Sequence, residues 1–239
     1  AFAVGGGCIL SGIVIWALAE FFARRRRLFL PAIALCLSFV GFAVAAAFFL
    51  YGGVVGQDST VRMGAGASEI PWQLRALGVV TALAGLAAAG GYYWRFRLPF
   101  SMGVAGLAAA ILLVSLVFAA APLLVLEISN LLMLLAGVLL FAAGVWFDAR
   151  DPERVTRLSD NGFWLHVAAA PLILNGALAL STGHLGAAQG LYARGGGDVG
   201  GAIITLLIVF LLGIVSLLIN RRALIVSALV TTGVAIGML

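Results

Sequence analysis

Lysine is missing from this 239-residue chain, and all 14 basic residues are arginine. Schiff-base chemistry on a lysine amine, as in a retinal pigment or PLP catalysis, is thereby excluded. A Walker-type phosphate loop is excluded too, because its lysine is what reaches the β/γ-phosphates. Only two histidines occur, His166 and His184. Eighteen residues of helix hold them roughly 27 Å apart, so one subunit cannot ligate a haem iron with both, and three-histidine metal sites are excluded. The two cysteines, Cys8 and Cys36, lie in apolar stretches without a C-x-x-C pattern. They read as small hydrophobes, with neither a zinc ribbon nor a dithiol pair in view. No basic n-region precedes the first apolar stretch, so a retained signal peptide is not expected. Charged residues make up only 10% of the chain, against about 25% in soluble domains.

What fills the chain is hydrocarbon: 64% of residues are hydrophobic and the mean hydropathy is +1.18. A soluble enzyme is ruled out, and the expected fold is an all-α integral membrane protein forming a single transmembrane domain over residues 1–239. A spanning helix needs roughly 20 mostly apolar residues. Eight segments qualify: 1–22, 29–54, 74–94, 98–120, 123–146, 161–183, 201–219 and 223–239.

Arginine placement sets the expected threading. One set of turns holds Arg24 to Arg27, Arg95, Arg97, Arg150, Arg154, Arg157, Arg221 and Arg222, against Arg62, Arg75 and Arg194 in the other. The arginine-rich turns are expected to face the cytoplasm of a bacterial inner membrane. There they would attract anionic lipid headgroups, at about 1 kcal/mol per arginine near the surface. The sequence pI near 10.0 is then a matter of topology; no solvated basic domain exists to bind nucleic acid. Arg27, Arg97, Arg157 and Arg222 recur at intervals of 70, 60 and 65 residues. Each interval holds two spans and an outer loop, which reads as four hairpins in one orientation, a parallel repeat.

In lipid, close helix contact depends on small residues. Gly78, Ala82, Gly85 and Ala89 form such a stripe in the third span, and Gly137 and Gly144 stand seven apart in the fifth.

Ionisable and polar groups within spans are costly, which makes them site candidates. Glu127 and Asn130, three apart, share a helix face. His166 and Asn175 lie on the sixth span, nine residues apart and so on opposite faces; they do not make one site alone, and the alternative for each is a satisfied interhelical hydrogen bond. These four residues form the candidate intramembrane site. A second cluster is the charged turn over residues 148–160, with four acidic and three basic residues. Asp148, Asp151, Arg154, Arg157 and Asp160 read as a salt-bridged elbow or a docking face for a partner. Asp151 and Pro152 suit the start of a helical turn, and Ser159 or Asp160 suits the cap of the sixth span.

The stretch Asp148, Asp151, Pro152, Arg154, Thr156, Arg157, Ser159, Asp160, Phe163, Trp164, Leu165, His166, followed by Ala170 and Pro171, resembles a motif of uncharacterised bacterial polytopic inner-membrane proteins of the domain-of-unknown-function type. The resemblance covers about 24 residues and implies location and topology. It also implies a second histidine shortly after the proline, where this chain has Leu172 to Asn175.

No paired nucleophile and base, metal cluster or nucleophile elbow is present, so no enzymatic activity, cofactor or metal is expected. The leading expectation is a small-solute or lipid transporter or channel. The alternative is a structural or accessory subunit of a larger membrane complex, joined to a protein partner or to copies of itself.

Overall fold

The computed structural model describes residues 1–26, 28–57, 70–151, 153, 156–181, 210 and 214. Its elements are α1 (Phe2–Ala19) running into a π turn (Glu20–Arg25), α2 (Phe29–Gln57), α3 (Trp72–Phe96), α4 (Pro99–Ala120), α5 (Pro122–Ala149) and α6 (Arg157–Ser181). Among the described residues there is no strand. Five helices among the described residues are long and apolar enough to cross a membrane: α1 with its π turn, α2, α3, α4 and α5. The first six expected spans each coincide with a helix to within a few residues. The seventh and eighth, 201–219 and 223–239, lie outside the described residues except Phe210 and Ile214, which are helical.

The chain divides into two compact units, Ala1–Leu123 and Leu124–Leu239. In the first, α1 packs on α2, α2 on α3 and α3 on α4. The small-residue stripe of α3 is the reason α3 sits between its neighbours. Ala82, Gly85 and Ala89 are buried. A Cβ at Gly85 would come 3.0 Å from Val44 on α2, and one at Gly78 would come 3.3 Å from the Ser115 hydroxyl on α4. Backbones approach because nothing larger stands between them, as packing within lipid requires.

At the arginine-rich end of this unit the rings of Trp16, Phe39, Tyr92 and Phe96 converge, with Tyr92 and Phe96 4.4 Å apart between centroids. Tyr92 is fully buried and donates its hydroxyl hydrogen to the Ala32 carbonyl at 3.1 Å. That bond satisfies the polar tip of an otherwise apolar side chain. Glu20 bridges Arg24 at 3.4 Å and Arg95 at 2.6 Å, joining the ends of α1 and α3.

The turn from α3 to α4 needs only two residues. Arg97 adopts a left-handed conformation (φ 52°) and its N–H bonds the Tyr93 carbonyl at 2.8 Å. Leu98 is extended, as residues before proline prefer, and Pro99 opens α4, where its missing N–H costs nothing. At the other end, Arg75 donates to the Ala119 carbonyl at 3.1 Å, capping the last turn of α4.

In the second unit, α5 is interrupted at Ile128, whose φ of −124° and ψ of 19° are not helical. Helix α6 carries Pro171 in its interior.

Candidate functional site

Five positions on α5 recur at steps of 3, 4, 3 and 4: Leu134, Phe141 and Asp148 alternate with Gly137 and Gly144. On α6, running the opposite way, Gly176, Ile173, Ala169, His166 and Gly162 do the same. This is the spacing of a two-helix seam. The contacts fix its register. A Cβ at Gly176 would strike Leu134, one at Gly137 would strike Ile173, one at Gly144 would strike the His166 ring, and one at Gly162 would strike the Asp148 carboxylate. Ala169, opposite Phe141 in this register, is fully buried. Every layer therefore pairs one large side chain with one small residue, which lets the two helices approach closely.

The last two layers are polar. His166 is 0% exposed. Its Nε2 lies 3.1 Å from Oδ2 of Asp148, whose side chain is 13% exposed. With the carboxylate ionised, Nε2–H is the donor. Phe141 covers the ring on one side at 4.8 Å between centroids. Gly144 and Gly162 make this pair fit: each stands four residues before the polar residue of its own helix and opposite the polar residue of the other.

The elbow beyond Asp148 is held by Asp151, which is buried. Its Oδ2 accepts from the Thr156 N–H at 2.9 Å and the Thr156 hydroxyl at 2.7 Å. The Thr156 oxygen in turn accepts the Leu158 N–H at 3.2 Å. Thr156 thus caps α6, rather than the Ser159 or Asp160 expected from the sequence; Ser159 turns inward and is buried. Replacing Thr156 with alanine removes the cap and the partner of Asp151 together. A loss of about 1–2 kcal/mol is expected, read as a lowered thermal midpoint in detergent micelles. An unchanged midpoint would show that the elbow holds without it.

The remaining sequence candidates are placed as follows. Arg157 and Asp160 are exposed beside the cap. Arg154 lies outside the described residues. Glu127 is exposed, and Asn130 is half-buried. Ile128, between them, departs from helical geometry, so the i,i+3 face expected for the pair is distorted. Counted along α5 from Gly144, which faces His166, Glu127 is roughly 25 Å away and Asn130 roughly 21 Å. Asn175 is roughly 13 Å from His166 along α6, and its amide donates to the Pro171 carbonyl at 2.6 Å. The candidate intramembrane set is therefore dispersed along α5 and α6, as the nine-residue offset of His166 and Asn175 already implies for that pair. His166 leaves the set and joins Asp148, a residue assigned from sequence to the elbow.

Sequence reasoning missed that pairing because it weighed each helix separately. The available signal was the matched spacing Gly144–Asp148 and Gly162–His166. Among the described residues no group of three His, Cys, Asp or Glu side chains is placed to hold a metal. Compared with protein-family profiles, curated proteins and solved structures, the chain matches none.

Proposed function

We propose that this protein is a multi-pass transporter or channel for a small solute or lipid in a bacterial inner membrane, with Asp148 and His166 as its protonation site. The observation that carries the reading is a fully buried histidine bonded to a carboxylate within a helix seam. Ionisable groups at such places are costly and mark proton or substrate paths. The pair carries one negative charge with a neutral ring and none once Nδ1 takes a proton. The site is reached from the elbow, where Asp148 keeps its small exposure. A seam built on glycines lets α5 and α6 re-pack when that charge changes. The arginine-rich turns face the cytoplasm in this reading, and no covalent catalysis is involved.

The test is current on a solid-supported membrane carrying reconstituted protein, challenged with amino acids, sugars, organic acids, amines and short-chain lipids. At least one class elicits a current that disappears in Asp148→Asn and His166→Leu and survives in Glu127→Gln. Silence from every class overturns the reading. The alternative, an accessory subunit, is favoured by one observation: Arg150, Glu153, Arg157 and Asp160 are all exposed around the elbow. Native mass spectrometry of gently extracted protein decides it. A stoichiometric partner lost on exchanging the charges of Asp151 and Arg154 supports it, and a lone monomer or homodimer sinks it.

A further inference from the structure

An apolar groove of about 310 Å³ runs between α1 and α2 in the first unit, with Cys8, Gly12 and Trp16 on one wall and Phe39 and Ala43 on the other. Small residues create it. Gly12 is buried, yet a Cβ placed there would meet nothing within 4 Å. The groove opens sideways, where Ile9 and Ile13 on its rim are 46% and 61% exposed. From Cys8 to Trp16 it follows α1 for about 12 Å.

Just beyond Trp16 the surface changes from hydrocarbon to cation. The Phe96 ring rests on Trp16 at 5.1 Å, and its neighbour Arg95 reaches Glu20. Arg24 reaches the same carboxylate with 58% of its side chain exposed. The π turn contributes here. The Arg26 N–H bonds back to the Phe21 carbonyl, one residue further than in an α-helix. That wider turn slows the rotation of the chain, so Arg24 stays on the side of α1 that carries Trp16 and Glu20. Two arginines share a single acidic group, and Arg25 and Arg26 stand exposed beside them. The cluster has cationic charge left over.

We infer that the α1–α2 groove and the Arg24–Arg95 cluster form one binding site for an anionic glycerophospholipid. The headgroup phosphate lies on the arginines and one acyl chain runs past Trp16 towards Cys8. Charge complementarity selects the occupant. A partner helix without acidic groups would fill the groove but leave the arginines unanswered, and a zwitterionic lipid brings its own cation beside the phosphate, whereas an anionic lipid fills the groove and answers the surplus positive charge. The site lies in the first unit and does not depend on the Asp148–His166 reading.

Trp16 reports occupancy. The full-length protein is reconstituted in phosphatidylcholine vesicles containing either brominated phosphatidylglycerol or brominated phosphatidylcholine at equal mole fraction. Bromine quenches nearby indole fluorescence, and subtracting the Trp16→Phe signal isolates Trp16 from the other four tryptophans. Trp16 is expected to be quenched at least threefold more by the anionic lipid. Gly12→Leu fills the groove and Arg24→Gln removes a headgroup ligand; each should abolish that excess while the thermal midpoint stays within a few degrees of the parent. Should Gly12→Leu fail to fold, Gly12→Val serves in its place. Equal quenching by the two lipids overturns the site. So does an excess that survives the groove-filling variant, since that marks a headgroup annulus alone. Absence of Trp16 quenching overturns it too, because protein then fills the groove.

Discussion

His166→Ala is expected to cost about 3 kcal/mol of stability. Two losses combine. The ring packed between Phe141 and Gly144 is deleted, and the Asp148 carboxylate is left inside the seam without its imidazole. Removing one member of a buried pair costs about 3–5 kcal/mol. The 13% exposure of Asp148 sets the expectation at the lower end, because water at the elbow partly solvates the remaining charge. Asp148→Asn should cost only about 1 kcal/mol, since an amide oxygen still accepts a hydrogen bond from the ring. The double variant Asp148→Leu/His166→Leu removes both polar groups while keeping their volume, and should return to within about 1 kcal/mol of the parent. SDS-titration unfolding of the parent, Asp148→Leu, His166→Leu and the double variant reads the cycle. Simple additivity of the single leucine variants would mean that the two residues do not act as a pair. The transport assay then separates stability from function. The leucine pair should be stable and silent, whereas a pair kept for packing alone would leave transport intact.

The positions of α1 to α6 are legible in the sequence because each depends on a local property, the length of an apolar run. Helix ends are almost as legible where proline marks them, as at Pro99 and Pro122. The stripe on α3 could be read as well, since Gly78, Ala82, Gly85 and Ala89 lie on one helix and need no partner to be recognised. The seam between α5 and α6 was only half legible. Gly137 and Gly144 announce close packing, but what they receive, Ile173 and His166, depends on the register of a second helix. The kink at Ile128 leaves no mark, because no proline or glycine accompanies it, and it distorts the shared face expected for Glu127 and Asn130. The α6 cap shows the same limit on a shorter scale. Ser159 and Asp160 have the right chemistry for a cap, as does Thr156. The choice falls to Thr156 because Asp151, five residues earlier, supplies a buried carboxylate that holds its hydroxyl.

These observations share one cause. In lipid there is no hydrophobic drive between helices, so specificity rests on shape and on a few polar bonds. The first unit uses an aromatic cluster with one tyrosine hydroxyl tied to the backbone. The second uses alternating large and small residues and places its polar pair where two glycines leave room. A polar group in either unit is thus first a packing element, and its chemistry is confined to the atoms that packing leaves reachable: Asp148 at the elbow, and the arginines around Glu20.

Gly176→Ala should therefore be among the most damaging one-carbon additions possible in the described residues, and irreparable from the other side of the seam. The added Cβ would lie 2.7 Å from the Leu134 Cβ, 2.8 Å from its backbone nitrogen and 2.9 Å from its Cα. None of these atoms can rotate away, so the helices themselves must separate and the neighbouring layers lose contact. Overpacking of this kind costs about 1–3 kcal/mol, and a site bounded by backbone belongs at the upper end. Shrinking the partner with Leu134→Ala leaves all three offending atoms in place, so it should give no rescue. Gly144→Ala offers the contrast. Its neighbours are three atoms of the His166 ring, the nearest at 2.7 Å, and they vanish in His166→Ala. In that background the added methyl should cost at least about 1 kcal/mol less than in the parent. Gly41→Ala and Gly90→Ala, where a Cβ meets nothing within 4 Å, should be neutral or stabilising by up to about 1 kcal/mol through helix propensity. Thermal midpoints of these variants in one detergent test the register directly. A Gly176→Ala protein as stable as Gly41→Ala would break the layer pairing, and with it the reason Asp148 and His166 face each other.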